Sequence, residues 1–478
     1  MISRRELFRK ASGLVLASPA ASVARRFSAR TGKTGSSSEP NVLLILTDQQ
    51  TIRAMSTAGN RLLHTPSMDY LALSGVRFER SYCTAPICGP SRSSLISGCM
   101  PHETGVNWNE NSTGPDIPNL GHCFREAGYR TVWAGKWHLP GMFPHKFHPE
   151  QKEVPGFELL KLPFDFSSPR WMRGNETDSP VTDAALDFLR NYRASEPFLL
   201  SVSYHNPHDI CFFPAETADF PPPPQGVSLP PLPANHEPSE PEPEFVQQRR
   251  LIDHYGQEVL KARSWNRDQW RAYIYHYYRL VERVDAEIGK VIRLIRAQGL
   301  SDRTLIAFTS DHGDGVAAHK WTTKLCFYEE AVAVPLVLCW PGEIASGRVD
   351  TQHLVSGIDL VPTVCDFAGI PVPPRVRGAS LRSILGDHPG KWRDFVVVEL
   401  ADDNRDKSRK GRAVITAGYK YAVYSGGVNR EQLFDRANDP GEMKNLAFEP
   451  RMKEIRDDHL RRLRNWIQET KDDFQLGA

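Results

Sequence analysis

A continuous apolar run near the start of the chain most constrains the fold. Residues 42–46 are all aliphatic, and Asp48, Gln49 and Gln50 follow closely. A strand that is apolar on both faces is typical of a parallel sheet covered by helices on both sides. Polar residues at the carboxyl end of such a strand lie where α/β proteins place their functional sites.

Further strand and helix patterns alternate along the chain. Apolar runs predict strands at 131–134, 198–204, 304–309 and 334–338, and helical patterns cover 67–74, 91–98, 182–193 and 268–297. The alternation predicts an α/β fold with a large, mainly parallel sheet sandwiched by helices. After residue 371, short strands at 395–400, 413–416 and 420–424 and a closing helix at 452–469 predict a smaller α+β subdomain with a short antiparallel sheet.

The remaining segments complete the predicted organisation. Residues 1–24 begin with Arg4-Arg5, continue through a short apolar stretch and end in small residues, so they resemble a twin-arginine export signal. We expect a flexible leader over 25–39, a catalytic domain over 40–370 and the subdomain over 371–478. Residues 214–243 hold eleven prolines, which predicts an extended surface excursion within the catalytic domain.

Composition excludes several classes of protein. The 59 basic and 57 acidic residues are too balanced for a general nucleic-acid binder. The sequence contains no run of about 18 apolar residues, so we do not expect stable membrane insertion. The eight cysteines contain no Cys-x-x-Cys pair, which excludes a zinc ribbon. An even number of cysteines in an exported protein can form disulfides. A twin-arginine substrate folds before export, in a reducing compartment, which favours buried free thiols. Both possibilities therefore stay open.

Residues 88–98 carry the most specific chemical signal. Gly89-Pro90 can begin a helix, which would place Cys88 at its positive N-terminal end. That position suits a nucleophile that attacks an anion, or an anion-binding site. Arg92 follows within the first turns and can reach the same point.

This segment resembles the signature of the type I sulfatases, Cys-x-Pro-Ser-Arg followed shortly by an apolar residue and Ser/Thr-Gly. In that family a maturing enzyme reads the positions of Cys88, Pro90 and Arg92 and oxidises the cysteine to formylglycine. Further stretches resemble family motifs in the same order over about 40–447: 48–49, 65–69, 75–78, 135–139 (the Gly-Lys-Trp-His motif), 205–208, 310–313, Lys324 and 433–446.

The resemblance implies an alkaline-phosphatase-like fold and a set of site residues. The implied catalytic residues are Cys88, Arg92, Lys136, His138, His205 and Lys324. The implied metal ligands are Asp48, Gln49, Cys88, Asp311 and His312, around one divalent metal for which we expect Ca²⁺. Gln49 replaces the usual second Asp and His312 stands where many members have Asn, which leaves manganese or zinc open.

The family mechanism further implies individual roles. Hydrated formylglycine at position 88 attacks sulfur, and Asp311 orients or deprotonates it. Either His205 or Lys324 protonates the leaving alcohol. His138 assists the release of sulfate.

Several residues outside these motifs have weaker signals. His208 is a weaker catalytic candidate, and we expect His319 to be structural. The sequence does not decide the role of two tryptophans and the proline-rich excursion. Trp108, Trp171 and the excursion could line a sugar subsite, or they could be core or surface residues.

The leading hypothesis is a bacterial sulfatase, exported to the periplasm or secreted. Its expected substrate is a sulfated sugar or polysaccharide, or a small organic sulfate. Its expected partners are a formylglycine-generating or radical maturase and the export machinery. One alternative is a phosphonate monoester or phosphodiester hydrolase on the same scaffold. Another is a catalytically silent binding protein, which retention of the implied site residues argues against.

Overall fold

The aliphatic run at 42–46 becomes a central strand of a large sheet. The computed structural model describes residues 39–476, except for 110, 112, 115, 140–152, 163–172, 194–195, 215–219, 252–258, 387–389 and 402–407. The predicted signal over 1–24, all but the last residue of the predicted leader, and Trp171 therefore lie outside the described residues.

Strands and helices alternate through the first three quarters of the described chain. The strands are β1 (Asn41–Asp48), β2 (Val76–Phe78), β3 (Ser81–Tyr82), β4 (Arg130–Gly135), β5 (Glu153–Val154), β6 (Phe157–Leu159), β7 (Phe198–Pro207), β8 (Thr304–Ser310), β9 (Leu336–Cys339), β10 (Arg348–Asp350), β11 (Val355–Ser356), β12 (Phe395–Ala401), β13 (Lys410–Thr416), β14 (Tyr419–Tyr424) and β15 (Glu431–Asp435). The helices are α1 (Pro66–Leu73), α2 (Cys88–Ser97), α3 (Pro101–Thr104), α4 (Leu120–Glu126), α5 (Gly174–Asn191), α6 (Glu244–Arg249), α7 (Arg267–Ala297), α8 (Glu329–Val332), α9 (Leu360–Ala368), α10 (Arg382–Leu385) and α11 (Lys453–Thr470).

The large sheet has the strand order β10-β2-β9-β8-β1-β7-β4-β6-β5. The central strands β8, β1, β7 and β4 run parallel, as predicted. The predicted strand at 334–338 forms as β9 but begins only after Pro335, and it pairs antiparallel with β8. The mainly parallel α/β sheet is thus confirmed, with antiparallel pairs toward its edges.

The two faces of β1 pack against different helices. Leu43 and Ile45 belong to the core cluster that includes residues of α1, α5 and α7. Val42, Leu44 and Leu46 belong to the cluster that includes residues of α2, α4 and α9. Burial on both faces is why this strand carries no polar side chain between residues 42 and 46.

The C-terminal part contains the predicted small antiparallel sheet, in the order β12-β13-β14-β15. One face packs against α11 through residues such as Val414 and Leu463. The other face shares a cluster with residues of the preceding part, among them Phe327 and Val332. The boundary between residues 370 and 371 stays a prediction.

The proline-rich excursion contains no named strand or α-helix over its described residues, 214 and 220–243. Its contact with the C-terminal part includes an isolated bridge between Glu240 and Lys444. Among the described residues, no helix combines the length and apolarity needed to cross a membrane.

One carboxylate joins two helices on the same face of the sheet. Asp285 of α7 is buried, and its oxygens accept the backbone N–H groups of Ser67 (3.1 Å) and Met68 (2.8 Å) at the start of α1. These N–H groups have no partner within α1, because the first turn of a helix leaves its donors unpaired.

We predict that Asp285→Ala lowers the free energy of unfolding by about 2 kcal/mol, because buried donors lose their acceptor. Urea unfolding followed by circular dichroism measures the change. Glu287→Ala on the same helix is the control, since among the described residues Glu287 forms its ion pair with Lys290, whose side chain is 39% exposed, and its removal should change stability by less than about 0.5 kcal/mol. Equal effects of the two variants would contradict the capping role of Asp285.

Candidate active site

The parallel strands bring polar residues to one edge of the sheet. Asp48 ends β1, Asp311 directly follows β8, Lys136 directly follows β4 and His205 lies near the end of β7. The register pairs Thr47 with Ser310 and Gly135 with Ser203, so these ends are level with one another. Residues far apart in the sequence therefore meet at the carboxyl ends of the strands.

Cys88 is the first residue of α2 and is 1% exposed. Its Sγ lies 3.2 Å from His312 Nε2, 3.2 Å from Lys324 Nζ and 3.8 Å from Asp48 Oδ1. Burial and Asp48 raise the pKa of the Cys88 thiol, but Lys324 and Lys136 outweigh them, and the pKa lies well below its usual value. The side chain at position 88 therefore faces an environment that favours an anion.

Arg92, one turn further along α2, donates to four strand ends. Its Nε lies 2.8 Å from Asp311 Oδ2 and its Nη2 lies 3.0 Å from Asp48 Oδ2. Its Nη1 donates to the Lys136 carbonyl and to Ser203 Oγ, both at 2.9 Å. Only a planar guanidinium with five N–H groups can satisfy this set.

Asp48 is the most strongly paired carboxylate of the site. Besides Arg92, the ammonium of Lys136 lies 2.6 Å from Asp48 Oδ2, in ion-pair contact. Burial raises the pKa of Asp48, but Lys136 and the neighbouring cations hold it well below the usual value. Asp48 is therefore ionised although it is fully buried.

The amide of Gln49 has a defined orientation. Its Nε2 donates to Asp314 Oδ2 at 2.6 Å, and its Oε1 accepts from Lys324 Nζ at 2.9 Å. The Cys211 thiol contacts the same amide. Gln49 has φ = 70°, in the left-handed region that non-glycine residues rarely adopt. The carboxylate of Asp314 thus turns the amide oxygen toward Lys324.

The loop that carries Lys324 has an unusual backbone. Six of its non-glycine residues have φ between 45° and 70°: Val316, Ala317, His319, Lys320, Thr323 and Leu325. Hydrogen bonds hold this shape, among them Gly315 N–H to the Thr323 carbonyl and Thr323 N–H to Tyr273 Oη. Backbone strain of this kind persists where the surrounding structure over-determines it, and it clusters at functional sites.

Three histidines belong to the same region, of which His205 and His208 are buried and His138 is partly exposed. Burial and Lys136 lower the pKa of His138, which interacts with Cys88. The same two causes hold the pKa values of His205 and His208 well below the usual range. His319 lies apart from them, and its ring stacks on Tyr328 with centroids 3.7 Å apart.

Four of the predicted metal ligands come together. Single donor atoms of Asp48, Cys88, Asp311 and His312 all lie within 4.8 Å of one another. Asp48 Oδ1 and Asp311 Oδ1 lie 4.0 and 3.7 Å from His312 Nε2, while the Oδ2 atoms face Arg92. A Cβ at Gly313 would collide with the Glu330 carbonyl, which explains the glycine after His312.

All eight cysteines are free thiols in this structure, and only Cys123 is not fully buried. Sequence reasoning overlooked several residues that hold the site together: Ser203, Asp314, Tyr273, Thr177 and Asp178. Asp314 stands three residues after Asp311, and this spacing was a usable signal. The others lie in apolar or helical stretches without a motif.

A family profile identifies the protein family to which this site belongs. The profile described as Sulfatase matches residues 40–370, most of the chain. The chain belongs to the sulfatase family. A second profile, N-sulphoglucosamine sulphohydrolase, C-terminal, matches residues 317–469 of this sulfatase.

Individual relatives are similar to this chain over nearly its whole length. The Delta 4,5-hexuronate-2-O-sulfatase of Bacteroides thetaiotaomicron is 33% identical over 449 residues, which cover 91% of this chain and 90% of that protein. A solved structure described as a 2-O GAG sulfatase has a TM-score of 0.81 at 30% identity and covers 92% of this chain and 95% of its own.

A phosphonate monoester hydrolase of Agrobacterium radiobacter shares the fold at 23% identity. Its TM-score is 0.74, and the match covers 90% of this chain and 96% of that one. The family profile and the relative at 33% identity show that the protein is an enzyme, a sulfatase with the alkaline-phosphatase-like fold.

We predict that Arg92→Lys lowers kcat/KM for sulfate-ester hydrolysis at least about 100-fold, because one ammonium cannot reach both carboxylates. Leaving part of this buried network unpaired should also lower the free energy of unfolding by about 3 kcal/mol. Steady-state kinetics measure the change in kcat/KM, and urea unfolding measures the change in the free energy of unfolding. The control is Arg130→Lys, whose pair with Glu158 is over 40% exposed on both sides. An Arg92→Lys enzyme with half the original kcat/KM would contradict the assignment.

Proposed function

We propose that this sulfatase removes sulfate from a sulfated sugar or polysaccharide. The observation that carries the proposal is the ring of cations around the Cys88 side chain, in which Lys324 contacts Sγ and Arg92 and Lys136 flank Asp48. A sulfated sugar is favoured because the relative that is 33% identical acts on a 2-O-sulfated hexuronate, by its name.

The buried cations supply the main stabilisation of the reaction. A sulfate ester is an anion, and its charge shifts toward the leaving oxygen as the S–O bond breaks. Arg92, Lys136 and Lys324 are each at most 7% exposed. Fixed charges act more strongly in such a water-poor site than in solution, and they need no reorganisation during the reaction.

We further propose that Cys88 is oxidised to formylglycine. Its hydrate would supply a hydroxyl nucleophile for the sulfur atom. The position at the start of α2 and the lowered thiol pKa support an anionic nucleophile there. Asp311 then orients the nucleophile, and His138, which interacts with position 88, assists the release of sulfate. His205 or Lys324 protonates the leaving alcohol.

The donor set fits a divalent cation. Asp48, Asp311, His312 and the side chain at position 88 would hold it. The amide oxygen of Gln49, which accepts from Lys324, is proposed as a further ligand from the resemblance to the family alone. The Oδ2 atoms of both carboxylates pair with Arg92. Asp48 Oδ1 lies beside the side chains at positions 88 and 312, whereas Asp311 Oδ1 also accepts the backbone N–H groups of Gln49 and His312, so Asp48 Oδ1 is the more available donor for the ion. We propose Ca²⁺, because most of these donors are oxygens. The ion would neutralise charge on the sulfate oxygens.

Export and maturation complete the proposal. Residues 1–24 resemble a twin-arginine signal, so we propose an exported enzyme, periplasmic or secreted, that uses the export machinery. Oxidation of Cys88 requires a formylglycine-generating or radical maturase as a transient partner.

Mass spectrometry of the tryptic peptide 81–92 tests the nucleophile. We predict that protein from its native host contains an aldehyde at position 88 that a hydrazine reagent traps. Cys83 lies in the same peptide and serves as an internal control, because its thiol should still be alkylated. The modified peptide should take one alkyl group instead of two.

The Cys88→Ala variant from the same host controls for trapping elsewhere in the peptide. Two alkylated cysteines in fully active enzyme would rule out the formylglycine mechanism.

A substrate panel tests the class of reaction. We predict that kcat/KM for a 2-O-sulfated unsaturated hexuronate or another sulfated glycan exceeds that for a phosphonate monoester by at least about 100-fold, because the site is built around one anion class. Sulfate release is measured by ion chromatography. The assay is repeated after chelation and after Ca²⁺ is restored, and activity should be lost and recovered.

Because a phosphonate monoester hydrolase shares the fold, the kcat/KM measured on the phosphonate ester distinguishes the two classes of enzyme. A higher kcat/KM on the phosphonate ester would assign the protein to the phosphonate hydrolases. Full activity after exhaustive chelation would contradict the proposed metal.

A further inference from the structure

The start of helix α5 is bound to the segment around the end of β7. The carboxylate of Asp178 accepts the backbone N–H groups of His205 (2.8 Å) and Asn206 (3.1 Å). In return, Asp209 accepts the N–H groups of Gly174 (2.7 Å) and Asn175 (2.8 Å) at the first turn of α5. These reciprocal bonds hold the backbone of His205 in place against the helix.

The side chain of His205 has its own partner on α5. Thr177 Oγ1 lies 3.0 Å from His205 Nδ1 and donates to the Arg173 carbonyl at 2.9 Å. A hydroxyl has a single proton, and a carbonyl oxygen can only accept. Because the Thr177 proton is directed at Arg173, its oxygen is left to accept a hydrogen bond from His205. Nδ1 must then carry hydrogen.

The surroundings of His205 keep the ring neutral. The residue is 5% exposed, and burial together with Lys136 holds its pKa well below the usual value. Arg92 and His138 act in the same direction, and Asp48 opposes them. A neutral imidazole has one N–H group, so hydrogen on Nδ1 leaves a lone pair on Nε2.

We propose that Thr177 is a positioning residue that keeps His205 in the Nδ1–H form, so that Nε2 accepts a hydrogen bond from a hydroxyl group of the substrate. The identity of that donor rests on the proposed function, whereas the tautomer does not. A ring in this form has no proton on Nε2 to give to the leaving oxygen. Of the two general acids considered above, this leaves Lys324, whose Nζ lies 3.2 Å from Cys88 Sγ.

Nuclear magnetic resonance of the ¹⁵N-histidine-labelled enzyme tests the tautomer directly. We expect Nδ1 of His205 to show the shift of a protonated ring nitrogen and Nε2 that of an unprotonated one at neutral pH. The His205→Asn spectrum assigns the signals. Thr177→Val should move both shifts toward the average of a tautomer mixture, and Thr177→Ser, which keeps the acceptor oxygen, should restore them.

Kinetics supply a second readout with a matched control. Loss of one oriented acceptor should raise KM by about 5-fold in Thr177→Val, and Thr177→Ser should stay within about 2-fold. The control is Thr182→Val on the same helix. The Thr182 hydroxyl also donates to the backbone, at Asp178 O, but its second contact is Tyr204 Oη. Thr182→Val should leave KM and the His205 shifts unchanged.

A protonated Nε2 and unprotonated Nδ1 in the wild-type spectrum would overturn the proposal. So would a Thr177→Val enzyme that behaves like Thr182→Val. The wild-type spectrum needs no substrate and stands even if a valine variant does not fold. An enzyme with the expected tautomer but no activity on sulfate esters would contradict the proposed function alone.

Discussion

The buried guanidinium of Arg92 organises the carboxyl edge of the central sheet. Its N–H groups reach acceptors at the ends of β1, β4, β7 and β8, which are the four parallel strands on which the site is built. Two carboxylates removed from water are costly unless their charges are compensated. Arg92 and Lys136 supply that compensation at Asp48, and Arg92 also supplies it at Asp311. The fold and the charge pattern of the site therefore depend on the same side chain.

The two oxygens of each site carboxylate have different partners. The Oδ2 atoms of Asp48 and Asp311 pair with cations of the protein, whereas the Oδ1 atoms lie toward His312 and, for Asp48, toward Cys88. Asp311 Oδ1 also accepts the backbone N–H groups of Gln49 and His312, so both oxygens of Asp311 hold the strand ends together. Asp48 Oδ1 instead lies beside side chains of the site. This difference explains how a cluster of buried charges can be stable and still present a donor to a ligand.

Much of the fold could be predicted from the sequence, because its strands are buried on both faces and so read as uninterrupted apolar runs. Apolar runs predicted that Asp48 and Asp311 follow buried strands, and the resemblance to the sulfatases implied Lys136 as a site residue. The antiparallel pairing of β9 could not be predicted, since a short apolar run has no direction. The contacts of Thr177 and Asp178 were also invisible, because they depend on how α5 packs against β7. Left-handed residues such as Gln49 likewise result from tertiary contacts that override local preference.

The burial of the signature segment has a consequence for the order of events during biosynthesis. Cys88, Pro90 and Arg92 are the positions that a maturing enzyme reads in the sulfatase family, and all three are buried here. A modifying enzyme could not bind this segment after folding has buried it. The proposed oxidation of Cys88 would therefore belong to the interval between translation and folding. If the proposed twin-arginine export carries the folded chain across the membrane, that interval ends inside the cell, and the nucleophile would be installed before departure.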